Sequence, residues 1–144
     1  MKACIFCDFI SNHKNSHDNH IKGPKEKYPV VPIFQDSFVY SFLSIPDNNN
    51  ETHLLVVPKK HYEFIEDMPK ELLIKLISKV ADFAGKLRKK YSSCHILLNN
   101  GKNADQYIPH VHFHLIPKDN NKKLPWTNLS VEEFIKISNK LISR

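Results

Sequence analysis

The sequence predicts an α+β domain, an antiparallel five-stranded sheet with a long helix packed on it and a further helix at the C-terminal end. Three observations carry this reading. The run His110-Val111-His112-Phe113-His114-Leu115-Ile116 alternates imidazole with large apolar side chains, which is the period of a strand. Between Glu71 and Tyr91 apolar residues recur at helical spacing with lysines between them. Elsewhere the apolar runs are short, rich in Val, Ile and Phe, and separated by Pro, Asn and Asp.

In chain order, Cys4 to Ile10 reads as a short helix or turn, and Ser11 to Lys27, rich in His, Asn and Lys, as an irregular mobile loop. Val30 to Phe34 and Ser37 to Leu43 predict two antiparallel strands around Gln35-Asp36, followed by a turn at Pro46 to Asn50. His53 to Val57 is the third strand, stopped by Pro58. Glu71 to Tyr91 is the main helix: Leu73, Leu76, Ile77, Val80, Phe83, Ala84 and Leu87 form one stripe, and Pro69 suits its start. His95 to Leu98 is the fourth strand, Asn99 to Pro109 a loop, and the histidine segment the fifth. Beyond Pro117 a Lys/Asn-rich linker leads to a helix over Ser130 to Ile142, with Ser130 as cap and Glu133 three residues on. Residues 1–117 form the domain, and 118–144 are a linker and helix packed on it.

Composition narrows the function. A chain of 144 residues, 41% hydrophobic, suits one core of ordinary size. It has no apolar run near the roughly 20 residues that span a bilayer. The start, MKACIFCDFISNHK, lacks the apolar stretch and cleavage site of a secretory signal, so a cytoplasmic protein without a membrane partner is expected. Three cysteines, two of them in C-x-x-C, are not a disulfide framework, and Cys94 in its apolar strand reads as a small buried hydrophobe. The net charge of +6 favours anionic partners. Its lysines are scattered with no basic stripe interleaved with aromatics, so nucleic acid is not the expected partner and a nucleotide phosphate satisfies the charge equally well.

On a strand His110, His112 and His114 share a face while Val111, Phe113 and Leu115 face the core. Next-but-one residues sit about 7 Å apart. The rings then share a site without touching. Imidazole serves as base, acid, nucleophile or metal ligand near neutral pH, so a row of them points to a reactive site.

HVHFHLI resembles the His-x-His-x-His signature of the histidine triad (HIT) family of nucleotide hydrolases and transferases. Cys4-Ile5-Phe6-Cys7-Asp8-Phe9-Ile10 resembles that family's CIFC-x-I opening, and His53-Leu54-Leu55-Val56-Val57-Pro58-Lys59-Lys60-His61 its H-x-L-V-x-P-K-x-H stretch. The match spans Cys4 to Pro117 and is most like the Hint-type branch. The resemblance implies a HIT-like fold and a homodimer. It also implies cleavage at the α-phosphorus of a purine nucleotide, as a phosphoramidate or dinucleoside polyphosphate, through a nucleotidyl-histidine on His112. His114 donates to the phosphate or leaving group, His53 supports the triad, and Asn99, Gln106 and Ser44 join His112 and His114 in holding the nucleotide. The same resemblance implies a structural Zn2+ on Cys4, Cys7, His61 and His110, with no organic cofactor; a redox pair or an inert pair are the other readings of the two cysteines.

Two positions depart from the pattern. Tyr107 stands where a serine associated with leaving-group protonation is usual, and Ser44 where an acidic residue usually holds the ribose hydroxyls. They motivate an alternative, a nucleotide-binding or scaffold protein with little turnover. A role at nucleic-acid ends is the remaining reading.

Overall fold

The computed structural model describes residues 4–11, 20–22, 27–30, 32–44, 53–120, 130, 132–133 and 135–136. In order, the elements are α1 (Ile5–Ser11), β1 (His20–Lys22), β2 (Lys27–Pro29), β3 (Pro32–Gln35), β4 (Val39–Leu43), β5 (Leu54–Pro58), α2 (Lys70–Tyr91), β6 (Ser93–Leu98) and β7 (Phe113–Lys118). Short 3-10 turns lie at Ile65–Asp67 and Lys102–Ala104. The main sheet has five strands in the order β3-β4-β5-β7-β6, each pair antiparallel.

Every residue of β4 and β5 is buried, because both faces of the sheet are covered. Alternation divides their side chains. Val39, Leu43, Leu54 and Val56 join Leu76, Val80, Phe83 and Leu87 of α2 on one side. Tyr40, Phe42, Leu55 and Val57 join Phe6 and Phe9 of α1 on the other. Full burial of a Val, Leu or Phe stabilises by roughly 1.5–3 kcal/mol, so the α2 stripe holds the sheet and α1 is pinned by two phenylalanines.

Several expectations change. The segment Ser11 to Lys27, expected to be irregular, contains β1, which pairs with β2 outside the main sheet. Gly23-Pro24 between the two runs is a turn signal that the reading of the segment as irregular passed over. The expected strand at Val30 to Phe34 instead covers Pro32–Gln35, and Pro58 is the last residue of β5, paired with Val39. The histidine strand starts at Phe113 and not at His110. Its first residues bond elsewhere: the His110 N–H donates to Ile108 O (2.8 Å) and the Val111 N–H to Tyr62 O (2.7 Å).

The alternation survives this change, since Val111, Phe113 and Leu115 all enter the α2-side core. Cys94 is half-buried and not a core residue, because β6 is the sheet edge. At the C-terminal end residues 132–133 and 135–136 are helical. The cap is reciprocal: the Glu133 N–H donates to Ser130 Oγ (3.2 Å) and the Ser130 N–H to Glu133 Oε2 (3.0 Å). The rest of the predicted Ser130 to Ile142 helix, and its packing on the domain, lie outside the described residues.

Candidate active site and metal centre

β7 pairs with β5 so that His114 lies opposite Leu55, on the sheet face that α1 covers. His112 precedes the strand on the same side, with Phe6 of α1 edge-on to its ring at 5.3 Å. The His112 and His114 rings are 4.8 Å apart, so they touch, contrary to the spacing expected from an ideal strand.

The His112 Nδ1–H donates to the carbonyl of His110 at 2.6 Å. Its proton is thereby held on Nδ1, which leaves the Nε2 lone pair free of a proton. Burial lowers the His112 pKa, only partly opposed by that carbonyl. His114 Nδ1 shares a proton with His53 Nε2 across 2.7 Å. Burial, then the His53 and His112 rings, push His114 down to about 3, so it is neutral at pH 7. Its Nε2 is buried with no hydrogen-bond partner among the described residues. A buried polar atom without a partner is an exception in folded proteins, and beside a cavity it marks a place for a ligand atom.

That cavity has a volume of about 370 Å³ and is lined by both histidines, His53, Ser44, Asn99 and the α1 phenylalanines, among others. Ser44 is fixed by a clamp with His53: the Ser44 N–H donates to His53 O (2.8 Å) and the His53 N–H to Ser44 Oγ (3.1 Å). Asn99 Nδ2 donates to the Asp105 carbonyl at 3.1 Å. Gln106 does not line the cavity. Its Oε1 accepts from the Gly101 N–H (2.6 Å) and its Nε2 donates to Glu63 O (2.8 Å), so it latches the loop that precedes the histidines. Gln106→Ala removes the partners of the part-buried Gly101 N–H and Glu63 carbonyl, which water can reach, at about 0.5–1.5 kcal/mol for each bond lost. Urea denaturation is expected to show a loss in that range, and an unchanged midpoint would rule the latch out.

The apolar wall of Ile5, Phe6, Phe9, Phe42, Leu55 and Ile108 was not anticipated as part of the site. The sequence held the signal, since Ile5, Phe6 and Phe9 recur at helical spacing between and beyond the two cysteines.

Behind this wall lies a second cluster. The donor atoms of Cys4, Cys7, His61 and His110 lie within 4.8 Å of one another. Cys4 Sγ and Cys7 Sγ are 3.4 and 3.6 Å from His110 Nδ1, and Cys7 Sγ is 3.4 Å from His61 Nδ1. A tetrahedral zinc has S···N edges of about 3.5 Å, so the spacing fits. The His110 Nε2–H donates to Pro58 O at 2.8 Å, which leaves the Nδ1 lone pair facing the sulfurs, as a metal-ligating histidine requires. Burial lowers the His110 pKa to about 4, keeping the ring neutral. Burial and the Cys4 sulfur push the Cys7 thiol up to about 11, the behaviour of adjacent thiols without a cation between them. The four residues can hold a metal ion.

The sequence model of the HIT domain matches residues 25–121. The chain belongs to the HIT family. An uncharacterized HIT-like protein of Methanocaldococcus jannaschii is 36% identical over 80% of this chain and 78% of its own length. The adenosine 5'-monophosphoramidase HNT1 of Saccharomyces cerevisiae is 35% identical over 83% of this chain and 65% of its own. Among solved structures, a zinc-bound histidine triad family protein of Mycobacterium smegmatis superposes with a TM-score of 0.70 at 25% identity, covering 98% of this chain and 94% of that one. The HIT family and its α+β fold are therefore those expected from the motifs, and relatives named as hydrolases support a hydrolase role. No described helix is long and apolar enough to cross a membrane.

Proposed function

We propose that this HIT protein cleaves the α-phosphorus bond of a purine nucleotide, a phosphoramidate or a dinucleoside polyphosphate, through a covalent intermediate on His112. What supports the reading above all is the His112 Nδ1–H bond to the His110 carbonyl, which makes Nε2 the nucleophilic atom. The Nε2 lone pair forms an N–P bond to the α-phosphorus while the bond from phosphorus to the leaving group breaks. The leaving group departs with the bonding pair and takes a proton from solvent. Water then forms a P–O bond, the N–P bond breaks, and nucleoside monophosphate is released. While the adduct lasts, the His112 ring is cationic, and the His110 carbonyl stabilises it.

His114 serves as donor. With His53 Nε2–H donating to Nδ1, the His114 proton sits on Nε2, aimed at a non-bridging oxygen where charge builds up. The apolar wall takes the base, and Ser44 and Asn99 offer hydrogen bonds to the sugar and phosphate. The test is incubation with adenosine phosphoramidate and diadenosine polyphosphates, with intact-mass detection of a nucleotidyl adduct. Tight nucleotide binding without product over hours would favour a binding or scaffold role instead. The Cys4, Cys7, His61 and His110 cluster holds a structural zinc in this reading, and free thiols suit a reducing cytoplasm.

The homodimer is assigned to the β6 edge. Ile96 and Leu97 on that strand are 49% and 46% exposed, and Ile74 on α2 is 65% exposed. An apolar edge strand of this kind is an aggregation site unless a partner covers it. Sedimentation is expected to give twice the chain mass, and Ile96→Lys to halve it; a single-chain mass for the unmodified protein would reject the assembly.

A further inference from the structure

The proposed reaction leaves open which leaving group the site is built for, and one residue at the mouth of the cavity bears on it. Tyr107 lines the cavity yet is 86% exposed, the most exposed large side chain among the described hydrophobics. Its backbone neighbours are fixed on both sides. Gln106 is latched to Gly101 and Glu63. Ile108 packs on the α1-side core, and its carbonyl accepts from the His110 N–H at 2.8 Å. The backbone that carries this aromatic ring is thus fixed beside the cavity, while the ring itself touches little protein and can turn toward a ligand at the rim. A tyrosine offers a large flat contact for only two side-chain torsions, so ordering it on a ligand costs little entropy.

The cavity's size indicates what it meets. A volume of about 370 Å³ is near the lower end for ligand sites and accommodates one nucleotide against the apolar wall. Whatever hangs on the far side of the phosphorus from His112 must emerge at the rim. We propose that Tyr107 is a specificity-determining residue that stacks on the leaving group, selecting nucleotide conjugates whose departing half carries a flat aromatic ring. A second purine or an aryl-substituted amine has that chemistry; ammonia or a short aliphatic amine does not. The inference rests on the nucleotidyl-transfer reading of the site and names the substrate class within it.

The test uses two AMP phosphoramidates that share the nucleotide and differ only in the amine, one indole-ethylamine and one propylamine. Affinity is measured on His112→Asn protein, where the conjugates persist, and kcat/KM on protein with His112 intact. A single aromatic stack corresponds to about a five- to tenfold preference for the indole conjugate in both. Tyr107→Ala is expected to erase that preference while leaving the propylamine conjugate and AMP itself unchanged, and Tyr107→Phe to restore it. Equal affinity of the two conjugates, or an equal loss for both in Tyr107→Ala, overturns the proposal. Absence of turnover with the affinity preference intact would instead overturn the reaction and leave the leaving-group contact standing.

Discussion

His112→Asn is expected to lower nucleotide turnover by on the order of 10⁴-fold or more and to abolish the adduct, because the amide offers no nucleophilic lone pair. The protein should still fold and bind AMP. The Asn amide can replace Nδ1–H as donor to the His110 carbonyl, and the Phe6 edge contact is a small part of the α1-side core. Measured pre-steady-state and steady-state rates decide the matter, and turnover comparable with the unmodified protein would remove His112 from the mechanism.

The pH dependence follows from burial. His112 is held below the ordinary imidazole value by burial, so its lone pair is available at pH 7 and activity should persist below about 6.5 before the acid limb sets in. Stability moves the same way. His114 is depressed to about 3 by burial and then by its histidine neighbours, so the unfolded chain binds more protons between about 3 and 6.5. Its contribution is present above about 6.5 and lost as pH falls through that window.

Removing the metal is the second large effect. The unmodified protein should contain zinc, and Cys4→Ala/Cys7→Ala should not. Three links join the metal cluster to the reaction. Cys7 lies within α1 and Cys4 just precedes it, and α1 supplies the wall formed by Ile5, Phe6 and Phe9. His110 offers Nδ1 to the cluster while its carbonyl holds His112. A bound cation would also favour the thiolate of Cys7, whose pKa burial and the Cys4 sulfur otherwise raise. Chelation is therefore expected to lower the melting temperature, to weaken AMP binding by about tenfold, a coupling of ordinary size, and to reduce turnover further through the misplaced nucleophile. Reciprocally, AMP should raise metal affinity by the same factor. Metal analysis showing no zinc, or AMP affinity unaltered by its removal, would sink this coupling.

Local patterns made much of this legible in advance. The α2 stripe apart from Ile77, which is 42% exposed, the Ser130 cap with Glu133, and the division of Val111, Phe113 and Leu115 from the histidines follow from spacing along a single element. The C-x-x-C pair was visible too, because it lies within one turn of chain. What escaped depends on distant segments. Gln106 looked like a phosphate contact until Glu63 and Gly101 were seen to occupy both ends of its amide. The ring contact between His112 and His114 depends on side-chain directions that residue spacing along a strand does not give. The helical spacing of Ile5, Phe6 and Phe9 marked an apolar face, but that this face folds back over β4 and β5 is a long-range packing event that spacing within α1 does not encode.

The paired bonds between Ser44 and His53 have a further consequence. They tie the end of β4 to the start of β5, so the backbone from which His53 reaches His114 is set by the sheet itself. A serine whose hydroxyl and amide both serve this clamp therefore governs the angle at which the two imidazoles meet, at one remove from the reacting atoms.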